Sequence, residues 1–269
     1  MIDVQWFMAY LALGAVVGFF AGLLGVGGGG IMVPALTAMF AAQGVPFEHL
    51  VHVSLATSMA AIVVTSASSL RAHQKHGAIQ WTIVKTITPG ILLGTFGAAM
   101  LAAYIPSLPL AIFFVVFMAY VSVQMWLNVK PKPSRQLPSP LGLSGVGLII
   151  GGVSALVAIG GGSLSVPFMT WCNVKIQQAI ATSAAIGLPI ALAGTLGYLV
   201  SGIGVEGLPK YTFGFIYLPA AASIALVSMF TAPLGAKLAH QLPVPTLKKV
   251  FAILLIGLSL KMLHTILTS

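Results

Sequence analysis

Two glycine clusters hold the clearest chemical potential in this sequence. Gly27 to Gly30 lie in Leu24-Gly-Val-Gly-Gly-Gly-Gly-Ile-Met-Val-Pro34, and Gly160 to Gly162 lie in Val157-Ala-Ile-Gly-Gly-Gly-Ser-Leu-Ser-Val-Pro167. Consecutive glycines permit left-handed or very tight backbone, and a proline soon after each cluster suits a helix that has just resumed. Such a start exposes amides with partial positive charge, and these attract anions. Ser163 and Ser165 add hydroxyls at the second break. Ala56-Thr57-Ser58 and Ala181-Thr182-Ser183 lie about two turns into the helices expected next, close enough to face the same cavity. Two structural roles compete with this reading. Glycines also let helices pack closely, and helical hydroxyls also bond the carbonyl four residues earlier.

Other chemistries lack their residues. The only carboxylates are Asp3, Glu48 and Glu206, all in expected loops, so neither acid–base catalysis nor a counter-charge for a cation has a basis at membrane depth. No enzyme activity is expected. Cys172 is the sole cysteine and excludes an intrachain disulfide. His49 with His52, and His73 with His76, have helical spacing but no third ligand nearby, so no metal and no cofactor is expected. His52 is retained as a candidate for proton coupling, because it sits at a membrane entrance and titrates near neutrality.

The elements that would position these residues are transmembrane helices. Of 269 residues, 58% are hydrophobic and 6% are charged, too few charges to cover a globule in water. The formal net charge of +9 reads as a topology signal, and no soluble segment is long enough to bind nucleic acid. Residues 1–25 contain Asp3 and no basic residue, which predicts a retained helix rather than a cleaved signal. Hydropathy and breakers predict segments at 5–24, 31–43, 49–71, 80–104 and 107–128, then 141–158, 163–173, 177–200, 212–239 and 246–267. The second of each five is too short to span alone. The proline-rich, basic stretch 130–140 predicts a cytoplasmic linker between a repeat at 1–129 and another at 141–269. Ten of the twelve Lys and Arg fall on one set of alternating loops, which the positive-inside rule makes cytoplasmic, with both termini outside.

The halves echo each other. The glycine motifs are offset by 133 residues and the Ala-Thr-Ser motifs by 125, while Pro106 and Phe114 match Pro243 and Phe251. Five segments per copy is an odd number, so consecutive copies are expected upside down relative to each other. The fold class expected is an all-α polytopic membrane protein of two inverted five-segment repeats with glycine-broken or re-entrant helices, an architecture that transporters use to hold substrate near the midplane.

The paired glycine motifs, the Ala-Thr-Ser repeats, and Pro219 with Leu234-Gly-Ala-Lys-Leu-Ala239 resemble the TauE/SafE family of sulfite exporters, the TSUP membrane transporters. The resemblance spans nearly the whole chain. It implies movement of sulfite, sulfoacetate or another small organosulfonate across a bacterial inner membrane without ATP, and it carries the motif onto Gly27, Gly28, Gly29, Pro34, Gly160, Gly161, Gly162 and Pro167. Gly30 stands where the second copy has Ser163, so the halves need not contribute equally. The expectation is export by alternating access, with proton coupling an open question. A channel-like anion permease, or a membrane subunit without its own site, is the alternative. Expected partners are the bilayer and a small anionic substrate, with a homodimer as a candidate assembly and no nucleic acid.

Overall fold

The computed structural model describes residues 3–24, 27–74, 77–127, 134–239 and 244–268, and these residues form ten helices and one short hairpin. In the first half α1 is Val4–Leu24, α2 Gly29–Ala42, α3 Phe47–Gln74, α4 Trp81–Ala102 and α5 Ser107–Trp126. In the second, α6 is Pro140–Val157, α7 Gly162–Trp171, α8 Ile176–Ser201, α9 Leu218–Ala239 and α10 Val244–Thr268. Eight are long and apolar enough to cross a bilayer. The exceptions are α2 and α7, at 14 and 10 residues. Their rise of 1.5 Å per residue gives lengths of about 21 and 15 Å, short of a hydrocarbon core of about 30 Å.

One expected segment is divided. Residues 212–217 are not helical: β1 (Thr212–Phe213) pairs antiparallel with β2 (Ile216–Tyr217) before α9 begins. The alternation of aromatic and β-branched residues in Tyr211-Thr-Phe-Gly-Phe-Ile-Tyr217 suits a strand, and Gly214, at φ 55°, makes the turn. Apolar composition hid this hairpin inside the predicted helix. Of the proposed linker, 130–133 lie outside the described residues, but its next residues are tied down. The amides of Ser134 and Arg135 both donate to the Trp171 carbonyl at 3.2 Å, the Trp171 indole donates to the Ser134 hydroxyl at 2.9 Å, and the Arg135 guanidinium lies 5.5 Å from the indole centroid. The linker is thereby fastened to the end of α7.

Packing between helices pairs the halves. α1 packs along α9 and its counterpart α6 along α4; α3 packs on α9 and its counterpart α8 on α4; α3 meets α8, and α5 meets α10. Each pairing maps onto another, or onto itself, when the two five-helix sets are exchanged. Lipid tails offer no hydrophobic drive for helices to associate, so close van der Waals contact must supply it. Glycine provides that contact at matched positions. A Cβ on Gly18 of α1 would lie 2.6 Å from the Ser228 Cα of α9, and one on Gly151 of α6 would lie 2.6 Å from the Ile91 carbonyl oxygen of α4. Gly145, on the same helix as Gly151, faces open space.

This difference predicts opposite outcomes on one helix. Gly151→Val should lower the stability of the detergent-purified protein by at least about 2 kcal/mol through overpacking. Gly145→Ala should be neutral, or stabilising by up to about 1 kcal/mol, through helix propensity. Thermal melting followed by size-exclusion chromatography checks both.

Candidate functional site

Both glycine clusters form the same backbone device. Gly28 caps the start of α2 at φ 78° and ψ −8°, and Gly161 caps the start of α7 at φ 80° and ψ −15°, both in the left-handed region that L side chains rarely occupy. Gly27 is left-handed as well, at φ 81°. Before the second break Ala158 turns left-handed at φ 47°, and its amide returns to the Ser154 carbonyl to close α6. No side chain caps the start of α2 or α7. The amides of Ile31 and Met32 donate to the Gly28 carbonyl and those of Leu164 and Ser165 to the Gly161 carbonyl, which leaves the first two amides of each helix as the donors without an intrahelical acceptor.

The breaks meet. A Cβ on Gly27 would lie 2.7 Å from both the amide nitrogen and the Cα of Gly160, while Gly29 sits against the Ala158 carbonyl. No residue with a side chain fits at either position. Next to this contact a small cavity is bounded by Gly27, Gly160 and Gly187, and by Thr65, Ser66 and Ser69 of α3. Ala21 and Ala184 complete its wall.

Of the residues singled out in the sequence, the structure brings Gly27 and Gly160 to this cavity, with Gly28, Gly29, Gly161 and Gly162 forming the adjoining helix starts. Gly30 points elsewhere, toward Met118 of α5 and Leu255 of α10. Ser163, its counterpart, is buried, and its hydroxyl has no hydrogen-bond partner, as is also true of Ser58. The two threonines hold backbone. Thr57 accepts from the Tyr217 amide and Thr182 from the Gln80 amide, each at 3.0 Å, so the paired motifs fasten the starts of α9 and α4. Ser165 donates to Ser183 at 3.0 Å and joins α7 to α8. Pro34 and Pro167 lie within α2 and α7; each lacks an N–H and so removes the helical bond to the carbonyl of Gly30 or Ser163.

His52 lies at the opposite end of α3 from the cavity, about 20 Å from Ser66 at the helical rise. Its Nε2 meets the carbonyls of Ala102 at 3.1 Å and Ile105 at 3.0 Å, and its ring stacks on Phe215 at 5.3 Å. Two carbonyl partners assign the proton to Nε2. In this arrangement His52 holds the end of α4. Among the described residues, no three His, Cys, Asp or Glu side chains gather as metal ligands would.

Sequence reading missed Thr65, Ser66 and Ser69. The available signal was Thr65-Ser-Ala-Ser-Ser69, four hydroxyls within five residues of an otherwise apolar span. Positions 65, 66 and 69 share one face by helical spacing. Thr65 is committed within the protein, donating to the Ala61 carbonyl at 3.1 Å and lying 2.7 Å from the Ser228 hydroxyl. Ser69 is only 5% exposed, and its hydroxyl has no partner.

With this geometry in view, the comparisons identify its class. Residues 10–262 match the family model described as sulfite exporter TauE/SafE. A probable membrane transporter protein of Haemophilus influenzae is 39% identical over 254 residues, covering 94% of this chain and 96% of that protein. Another of Methanocaldococcus jannaschii is 27% identical over 248 residues, covering 88% and 89%. The probable membrane transporter protein MamO of Paramagnetospirillum magneticum is 27% identical over 300 residues, covering 96% of this chain and 44% of its own longer sequence. No solved structure matches the chain. A match over nearly the whole chain, together with eight apolar helices of spanning length, makes this a multi-pass membrane transporter that belongs to the sulfite exporter TauE/SafE family.

Proposed function

We propose that the protein is a secondary transporter that exports a small sulfur oxyanion, most simply sulfite, by alternating access across a bacterial inner membrane. The observation that carries this reading is the contact of Gly27 with Gly160 beside a hydroxyl-lined cavity, with two uncapped helix starts adjoining it. Helix-start amides replace part of an anion's hydration without a full positive charge. The anion is therefore held weakly enough to leave. The family description supplies the sulfur chemistry.

The halves, 1–129 and 141–269, act as inverted repeats joined by the cytoplasmic linker at 130–140. Exchange of the helix pairings and the matching caps at Gly28 and Gly161 support this. Alternating access also agrees better than an open channel with one asymmetry. Gly194 is the counterpart of Ser69 at the Ala-Thr-Ser offset, and the Met59 sulfur lies 3.0 Å from where its Cβ would be. The space matching the cavity is thus filled on the other side, so the centre is open toward one side only, as alternating access requires of each of its states.

Purified protein in liposomes should take up labelled sulfite saturably, and faster when unlabelled sulfite is inside. Flux without saturation or exchange stimulation would favour a channel. Gly28→Ala and Gly161→Ala each force a side chain into left-handed backbone, at about 1–2 kcal/mol. Relief of that strain should turn the helix-start amides away from the ion, and both variants should cut sulfite exchange at least about tenfold. Equal exchange by well-folded variants would remove the glycine starts from the site. His52→Gln retains a donor for the two carbonyls and should keep both transport and its pH profile, whereas His52→Ala should lower melting stability by about 1–3 kcal/mol. A pH profile altered by His52→Gln would instead make His52 the coupling residue.

A further inference from the structure

The lining of the cavity is uncharged, and that restricts the charge of the ion it can hold. Its polar groups are glycine backbone and the hydroxyls of Thr65, Ser66 and Ser69. Ser69 is buried without a partner, and Ser66, 4% exposed, places its hydroxyl oxygen 3.2 Å from where a Cβ on Gly187 would lie, on the side of that glycine that also faces the Gly160 carbonyl. Thr65 is already engaged with Ala61 and Ser228. Ser66 and Ser69 are therefore the side chains positioned to bond an ion there.

Ionisable side chains on the surrounding helices lie outside the lining. They are Tyr10 on α1, Tyr198 on α8, exposed Lys237 on α9 and, on α3, Glu48, His49 and His52 near its start with exposed Arg71 and buried His73 at its end. His73 stands one turn beyond Ser69 and is the group an alternative account must use. Helices α2, α6 and α7 contain none.

Removing an ion from water costs free energy that rises with the square of its charge, whereas its gain from fixed dipoles rises only in proportion to charge. A site built from dipoles and hydroxyls consequently favours a monoanion over a dianion. Around neutral pH, sulfite exists both as hydrogensulfite and as the dianion. Resting on the transporter reading above, we propose that the cavity takes hydrogensulfite, bonded by the Ser66 and Ser69 hydroxyls and the adjoining helix-start amides. The proton moved with the sulfur then travels on the substrate rather than on a protein side chain. No bond to sulfur forms or breaks. Transport simply follows the protonated fraction.

The test uses the full chain in liposomes with labelled sulfite, labelled methanesulfonate as a permanent monoanion of similar shape, and sulfate as a permanent dianion. Methanesulfonate should exchange and compete with sulfite, and sulfate should compete at least about tenfold more weakly. From about pH 6 to about pH 8, sulfite exchange should fall with the hydrogensulfite fraction while methanesulfonate exchange stays level. Ser66→Ala with Ser69→Ala should raise KM for both substrates about tenfold with kcat little changed, the loss expected for hydrogen bonds to a charged ligand. His73→Gln should leave both pH profiles in place. Sulfate competing as well as methanesulfonate, or methanesulfonate exchange that itself falls with pH, overturns the inference while leaving the transporter reading intact. Failure of well-folded wild-type protein to move any of the three overturns the transporter reading, and this inference with it.

Discussion

A backbone amide inside a bilayer has no water to turn to, so a helix that starts at membrane depth must meet an acceptor or stand beside a cavity. This chain starts two helices between spanning-length neighbours, α2 at Gly29 and α7 at Gly162, and gives neither a side-chain cap. Much of the remaining architecture serves to keep those starts together. Glycine at 27 and 160 lets the broken segments touch, and left-handed glycine caps at Gly28 and Gly161 begin the new helices beside that contact. The cavity beside them is lined by hydroxyls and glycine backbone rather than charges.

Holding two short, broken helices steady requires a rigid frame, and the frame is built by exchange between halves. α1 lies against α9 and α6 against α4, so each half is braced by the other. Thr57 and Thr182 add matched ties between distant helices by accepting amides at the starts of α9 and α4. This packing is symmetric, but the filling of the centre is not. Hydroxyls line a cavity around Ser66 and Ser69, while Met59 occupies the matching place at Gly194.

Much of this was legible in the sequence, and what escaped has identifiable causes. Long uncharged runs, proline breaks and the charge pattern located all ten helices, because hydropathy is a strong constraint when backbone groups must be satisfied within a helix. The short α2 and α7 followed from their glycine and proline punctuation. Residues 212–217 escaped because an aromatic hairpin and an apolar helix share a composition. Thr57 and Thr182 were recognised as a pair, but their partners, Tyr217 and Gln80, are 160 and 102 residues away, beyond the reach of any local pattern. Thr65, Ser66 and Ser69 escaped for a different reason. Isolated helical hydroxyls commonly bond their own backbone, as Thr65 does to Ala61, and only the fold distinguishes a hydroxyl that faces a cavity.

The central claim is that the paired helix starts hold the anion. A structure determined with selenite, a pyramidal oxyanion that stands in for sulfite and scatters anomalously, tests it directly. The account predicts an anomalous peak in the cavity between Gly27, Gly160 and α3, within hydrogen-bonding reach of the Ser66 and Ser69 hydroxyls. A peak elsewhere in the protein, with this cavity empty while the same preparation exchanges selenite, would contradict it.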